Sequence, residues 1–413
     1  MRRSRSVILA TVTALFAGAV ATNFAGSASA AAACATAWSA TTVYVNGNVA
    51  SQSGHNYTAK WWTQNESPAT NSSQWAVWAD NGVCEGGTTT PPTTTPPTTT
   101  PPTTPPTTQP PGDGSLPKHF LTGYWQNFDN GATPLKLAAV PATYDLIAVA
   151  FADATTTAGA VTFNLDPGLA AAVGGYTDAQ FKADIATLHT RGKKVIISVG
   201  GEKGTVAVNS PAAATAFADS VHRLIQTYGF DGVDIDLENG LDPAYMASAL
   251  RALRAKVGTT LIITMAPQTI DMQNPQSSYF KLALDIKDIL TVVFTQYYNS
   301  GAMLGCDNNA AYSQGTVNFL TALACIPLQN GLRPDQVALG LPSSTRAAGG
   351  GYVAPTVVNA ALDCLARGVN CGTFRPPATY PGIRGAMTWS INWDVTNGNS
   401  WANTVAPHLT TLP

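Results

Sequence analysis

From residue 117 onward the chain alternates between two hydrophobic periods. Short apolar runs lie at 120–125, 146–152, 195–199, 232–237, 261–265, 292–297, 337–341 and 385–389, each with the length and composition of a buried strand. Several intervals between them, such as 178–191, 211–228 and 243–257, repeat apolar residues at helical spacing and open on polar residues suited to capping. Strands that alternate with helices predict a parallel sheet. Eight such units in roughly 300 residues predict closure of that sheet, an α/β fold of the (β/α)8 TIM barrel type over 117–413. An open doubly wound sheet is the rival. It would want a nucleotide-type glycine loop after an early strand, and the glycine-rich segment 198–204 has neither the G-x-G-x-x-G nor the Walker spacing.

Upstream the pattern differs. Between Cys34 and Cys84 the short runs 43–45, 48–50 and 57–62 are broken by Asn46-Gly47 and Gly54, which predicts a small all-β domain over 34–84. Trp38, Trp61, Trp62, Trp75 and Trp78 all fall here, five of the nine tryptophans of the chain. A domain of this size builds only a small core, for which Trp38 and Trp78 are the candidates. The remaining rings are then free to stack on the apolar faces of sugars, which makes a carbohydrate-binding domain. Strand alternation alone would send one ring of the Trp61-Trp62 pair inward and one outward.

Two further segments carry no packed structure of their own. Residues 1–30 hold Arg2, Arg3 and Arg5, an apolar run from Val7 to Ala21, and Ala28-Ser29-Ala30, the layout of a secretory signal peptide. A membrane anchor would want a longer apolar run, so a secreted, extracellular protein without membrane attachment is expected. Residues 85–116 repeat Thr-Thr-Thr-Pro-Pro and read as a semi-rigid linker. An oxidising compartment makes disulfides the expected state of the six cysteines. Domain membership suggests Cys34 with Cys84, Cys306 with Cys325 and Cys364 with Cys371, out of fifteen possible connectivities.

Charge narrows the partner. With 11% charged residues and a net charge of −2 there is no electrostatic footprint for nucleic acid or an anionic membrane. A neutral partner and a monomer are expected. Neither C-x-x-C nor H-E-x-x-H spacing occurs and the five histidines are scattered, so no metal and no cofactor is expected.

The candidate chemistry lies in the fourth strand, within 231–238. A period of two sends Asp234, Asp236 and Glu238 to one face and Val233, Ile235 and Leu237 to the other. Same-face neighbours stand about 6.5–7 Å apart, too close for three carboxylates to ionise independently away from bulk water. One of them is expected to hold a proton near neutral pH. Asp231 has the opposite parity and is expected to position the strand start.

In a barrel, chemistry belongs at the C-terminal strand ends. There the chain gathers Tyr124, Trp125 and Gln126, then Asp153, Glu202, the acidic row, Met265 with Gln268, Gln296 with Tyr298 and Asn299, and finally Trp389, Asn392, Trp393 and Asp394. Mostly uncharged hydrogen-bonding groups and aromatics suit a neutral sugar chain. An ordinary retaining glycosidase needs a second carboxylate about 5–5.5 Å from the acid, across the scissile bond. Glu202 or Asp394 could supply it. Alternatively the substrate brings its own nucleophile, as a 2-acetamido sugar can.

The segment D-G-V-D-I-D-L-E at 231–238 resembles the D-x-x-D-x-D-x-E signature of the family 18 glycoside hydrolases, the chitinases. Ser198-Val199-Gly200-Gly201 is similar to their S-x-G-G motif, and Met265-Ala266-Pro267-Gln268, Gln296-Tyr297-Tyr298-Asn299 and Trp389 are similar to their later strand ends. The resemblance implies Glu238 as general acid and then base, with Asp236 orienting the acetamido group and stabilising an oxazolinium intermediate. It implies that Asp234 shares a proton with Asp236, that Tyr298 hydrogen-bonds the attacking acetamido oxygen, and that Trp389 floors the site. Gln296, Asn299, Tyr124, Met265 and Gln268 are implied as substrate-binding positions. In the small domain the A-K-W-W-T-Q run at 59–64 resembles short chitin-binding modules, which implies Trp61, Trp62 and Tyr57 as the binding surface.

Together these imply a secreted chitinase that hydrolyses β-1,4-linked N-acetylglucosamine polymer and oligomers by retaining, substrate-assisted catalysis. The interval 341–385 is too short for an added α+β insertion, which points to an open cleft and endo action. An endo-N-acetylglucosaminidase on glycans and a non-catalytic chitin-binding, lectin-like protein share the motif and remain as alternatives, with a metal-dependent barrel enzyme behind them.

Overall fold

The computed structural model describes residues 32–42, 44, 47–60, 63, 66–72, 77–85 and 116–413. The expected signal peptide, residues 86–115 of the expected linker, and Trp61, Trp62 and Trp75 lie outside the described residues.

In the small domain, β1 (Ala32–Ala33), β2 (Val49–Gln52), β3 (His55–Ala59) and β4 (Trp78–Glu85) form one sheet in the order β1-β4-β3-β2. Asn48, Ser53 and Gly54 surround the β2–β3 hairpin, where Gln52 pairs with His55. Tyr44, Ala50, Tyr57, Ala59, Val77 and Trp78 make the core, with Trp38 packed on its side. Trp78 is fully buried, meets the edge of Tyr44 at 5.0 Å, and donates its indole N–H to Glu66 O at 2.8 Å. Cys34 and Cys84 are bonded, which closes the ends of the domain. Tyr57 corrects an expectation: its ring is 5% exposed and belongs to the core, not to a binding surface. It pairs with Ala50 on β2 and Asp80 on β4, and a central-strand residue on the packed face has no free ring face to offer.

The large domain opens with β5 (Phe120–Gln126), β6 (Leu146–Ala154), the short antiparallel β7 (Val161–Thr162), α1 (Pro167–Ala172) and α2 (Asp178–Thr190). Next come β8 (Lys194–Gly201), α3 (Pro211–Tyr228), β9 (Gly232–Leu237), α4 (Pro243–Val257), β10 (Ile262–Met265), α5 (Ser278–Asp285) and β11 (Val292–Gln296). A hairpin of β12 (Ala302–Leu304) and β13 (Ala311–Ser313) precedes α6 (Val317–Gln329) and β14 (Val337–Pro342). The chain ends with α7 (Pro355–Arg367), β15 (Gly385–Trp389), α8 (Ile391–Thr396) and α9 (Ser400–Leu409). Strands β5, β6, β8, β9, β10, β11, β14 and β15 pair in parallel in that order, and β15 returns to β5, so the sheet is a closed eight-stranded barrel.

Parity builds the two layers. Phe120, Tyr124, Leu146, Ala148, Ile196, Ile262, Val292, Phe294, Ala338 and Met387 fill the barrel interior. Their alternates, among them Leu121, Ile147, Ile197, Val233, Ile235, Ile263, Val293 and Leu339, pack outward on the helices. The helices start where local chemistry satisfies their first N–H groups. Thr177 and Gln180 form a capping box on α2, Ser210 caps α3 and Asp242 caps α4, each cap contributing about 1 kcal/mol. Disulfides Cys306–Cys325 and Cys364–Cys371 tie the hairpin to α6 and the end of α7 to the loop after it.

Candidate active site

Strand β9 delivers its acids to the barrel mouth because Val233 and Ile235 are claimed by the helix layer, leaving Asp234 and Asp236 on the inner face. Asp234 is fully buried and accepts three hydroxyl hydrogen bonds. Tyr124 Oη and Ser198 Oγ donate to Oδ2, both at 2.7 Å, and Thr264 Oγ1 donates to Oδ1 at 2.6 Å. Burial pushes the Asp234 carboxyl above the usual range while the three donors pull it back. Asp236, two residues on and 4% exposed, has one donor, Gln296 Nε2 at 3.0 Å. Burial, then the charges of Asp234 and Glu238, hold its carboxyl well above the ordinary value. Three donors favour the anion at Asp234, whereas Asp236 has a single side-chain donor among the described residues and faces the Asp234 charge, so the proton of this pair favours Asp236.

Glu238 lies one residue past the end of β9 and is half-buried. Gln268 Nε2 reaches its Oε2 at 3.3 Å and Gln296 Nε2 its Oε1 at 3.4 Å. Gln296 thus touches both Asp236 and Glu238, and its amide is fixed by a further bond to Ala266 O at 2.8 Å. Behind the row, Tyr279 Oη accepts from Leu237 N at 2.6 Å and fixes the end of the strand. Gly200, at a φ of 121°, lets β8 approach so closely that any Cβ there would meet the Asp236 carbonyl. The Tyr298 hydroxyl is held well above its ordinary pKa by burial and by Asp236, Glu238 and Asp234, so it stays a hydrogen-bond donor beside the three acids.

Trp389, at the end of β15, is half-buried above the interior layer. Phe151 stacks on it at 5.8 Å and 18°, Tyr124 tilts against it at 5.5 Å, and Phe128 at 6.3 Å. The ring is clamped by aromatics from β5, the loop after it and β6, with a partly exposed surface.

The structure brings Asp234, Asp236, Glu238, Gln268, Gln296, Tyr298 and Trp389 to one mouth, and separates others. Tyr124 is 1% exposed and lies under Trp389 as a donor to Asp234, so it does not line the cleft. Met265 is fully buried in the layer between sheet and helices: with Thr264 pointing inward to Asp234, its neighbour must point outward. Asn299 is exposed, but its Oδ1 accepts from Gly350 N at 2.9 Å, which commits the side chain to a loop.

Neither carboxylate considered for the opposite side is there. Asp394 is fully buried, accepting from Tyr144 Oη at 2.7 Å and from the N–H groups of Trp401 and Ala402 at the start of α9. Glu202 is exposed, and its carbonyl accepts from Asn239, the residue after Glu238, so its backbone sits on the acid's own side. Asp231 accepts from His189, Lys194 and Val195 N at the start of β9. Sequence reading missed Ser198, Thr264 and Tyr279 as supports, and Phe128 and Phe151 as partners of Trp389. Ser198 and Thr264 carried a findable signal, since inward-facing polar residues within buried strands need a partner.

Residues 121–403 match the model of glycosyl hydrolases family 18, and residues 37–79 match carbohydrate-binding module family 5/12. The chain is 38% identical over 332 residues to Chitinase D of Niallia circulans, covering 71% of this chain and 62% of that protein. It is 36% identical over 328 residues to Exochitinase 1 of Streptomyces olivaceoviridis, covering 68% and 54% respectively. The chain thus spans less than two thirds of the length of these curated relatives. A solved structure of a Streptomyces coelicolor protein provisionally named Chitinase A superposes with a TM-score of 0.70 at 68% identity, over 71% of this chain and 99% of that one. With the family model matched across the whole barrel and its acidic row, the chain belongs to glycosyl hydrolases family 18.

Proposed function

We propose that the protein is a secreted chitinase that hydrolyses β-1,4-linked N-acetylglucosamine chains with retention of configuration, without a metal or cofactor. The observation that carries this reading is the ordered acidic row: a half-exposed Glu238, a buried, proton-holding Asp236 and a hydroxyl-caged Asp234. Glu238, in its protonated form, gives its proton to the glycosidic oxygen as the bond to the leaving sugar breaks, and the resulting carboxylate then takes a proton from the attacking water. The 2-acetamido oxygen of the substrate attacks the anomeric carbon, forming an oxazolinium, since neither Glu202 nor Asp394 stands opposite the acid. Asp236 accepts a hydrogen bond from the acetamido N–H, which turns the acetamido oxygen toward the anomeric carbon. As positive charge develops it shifts toward the carboxylate form, and Asp234 takes up the shared proton.

Tyr298 donates to the acetamido oxygen, Trp389 supports the sugar ring, and Gln296 and Gln268 orient Glu238. The small domain, with Trp61 and Trp62, tethers the barrel to insoluble chitin, in keeping with the family 5/12 match. The 43-residue match leaves the domain boundaries at 34–84, 85–116 and 117–413 as proposals, together with the signal peptide at 1–30 and a monomeric state. Endo action is favoured by the segment between β14 and β15, in which α7 is the only helix and no strand is added. A Glu238→Gln variant should bind chitin oligomers and lose hydrolysis, and the wild type should release β-anomers first. Substantial residual hydrolysis, or α-anomers at early times, would remove the assignment. Product profiles from chitin hexamers decide between endo and exo cleavage.

A further inference from the structure

Tyr298 stands on no regular element. Strand β11 ends at Gln296, and the chain then turns with Asn299 at a φ of 52°. A hydroxyl needed at one point in space depends on what holds this turn, and two segments do so. On one side Gln314, just past β13, accepts from Ser300 N through Oε1 at 2.8 Å and donates its own N–H to Gly301 O at 2.7 Å. On the other, the loop after β14 brings in Gly350 and Gly351. Asn299 N donates to Gly350 O at 3.1 Å, and Gly350 N returns a bond to Asn299 Oδ1 at 2.9 Å. Ser300 Oγ donates to Tyr298 O at 2.8 Å and lies 2.9 Å from Thr269 Oγ1, whose hydroxyl in turn donates to Gln296 O.

Gly351 fills the last gap. Its φ is 91°, and a Cβ built there would stand 2.6 Å from Tyr298 Cα and 2.7 Å from Tyr298 Cβ. Rotating the tyrosine ring moves neither atom, so a side chain at 351 has to push the turn itself. We propose that Gly350 and Gly351, with Asn299 and Gln314, form a clamp that sets the Tyr298 hydroxyl over the acidic row. Gly351 is then a positioning residue, a role that depends on Tyr298 serving the acetamido group as proposed above.

The test compares wild type, Gly351→Ala, Tyr298→Phe and the double variant on a soluble N-acetylglucosamine oligomer, with kcat, KM and Tm measured for each. Gly351→Ala should lower kcat about tenfold or more, because small misplacements at a reacting centre are costly. KM should stay within about twofold. Adding it to Tyr298→Phe should cost little more, since no hydroxyl remains to be misplaced. Unchanged kcat in Gly351→Ala, or fully additive losses in the double variant, would overturn the clamp. Unchanged kcat in Tyr298→Phe would overturn instead the role given to Tyr298. If Gly351→Ala does not fold, Asn299→Gly keeps the left-handed turn and removes the bond from Gly350. It should show the same non-additivity with Tyr298→Phe, and additive or absent effects there overturn the clamp equally.

Discussion

Thr264→Val tests the state of Asp234 with the loss of a single hydroxyl. Thr264 is the described donor to Oδ1 of this buried carboxylate, at 2.6 Å, whereas Tyr124 and Ser198 both reach Oδ2. A hydrogen bond to a charged group contributes about 1.5–3 kcal/mol, and its loss leaves a buried anionic oxygen short of a partner. For a domain of roughly 300 residues that corresponds to a fall in Tm of about 2–5 °C at neutral pH. The sign of the pH dependence follows from linkage. Burial raises the folded Asp234 carboxyl above its ordinary value, so whatever stability it contributes is complete below the unfolded aspartate pKa of about 3.9. That contribution is lost as pH rises through the folded value. Removing a donor raises the folded value further, so the variant loses more over the same climb. Thermal melts at pH 4 and pH 7 should show a small penalty in acid and the full one at neutrality. In parallel, kcat should fall, because the shared proton then rests more on Asp234 from the outset and its transfer from Asp236 no longer accompanies the developing positive charge. Equal Tm penalties at both pH values, or an unchanged kcat, would refute a caged, ionised Asp234.

Three further outcomes follow from the geometry. Asp394→Ala uncaps α9 and strands the Tyr144 hydroxyl, so it should cost about 2–4 kcal/mol in denaturant melts while kcat per folded molecule changes less than about twofold. Lost catalysis at full stability would return Asp394 to the chemistry. Replacing Cys306 and Cys325 by serine opens a bridge with a sequence separation of 19 and should lower stability by about 3 kcal/mol. An unchanged unfolding midpoint would contradict this. Removal of residues 34–84 should cut hydrolysis of insoluble chitin about tenfold or more and leave soluble oligomers unaffected, in line with loss of a tether. Equal losses on both substrates would contradict a tethering role.

Strict alternation made the core of the site readable. In 232–237 every second residue is β-branched or leucine, so only one orientation buries them, and that orientation turns Asp234 and Asp236 inward. The eight strands were readable for the same reason, with β9 and β15 spanning the residues expected. Depth was not readable. Tyr124 and Trp389 both sit near a strand end, but closure of the barrel puts the first beneath the second, and no local pattern encodes the stagger that decides this. Met265 was misjudged because a strand end was taken as a whole, although Thr264 beside it could occupy the inner face only if Met265 did not. Asp394 follows β15 by five residues, yet Ser390 caps α8 immediately, and the short helix carries the acid away from the mouth to the start of α9. The ring of Tyr57 resembled a binding aromatic by its place in a motif, while its strand neighbours place it in the core.

The central claim is that the substrate's own acetamido group supplies the nucleophile to a site whose acids all come from one strand and the residue that follows it. Partially deacetylated chitin tests it most directly, since the sugar at each cut then either carries an acetamide or does not. Digestion followed by sequencing of the fragments should find N-acetylglucosamine at every newly formed reducing end, whatever the sugar beyond the cut. An appreciable fraction of glucosamine at those ends would contradict the account.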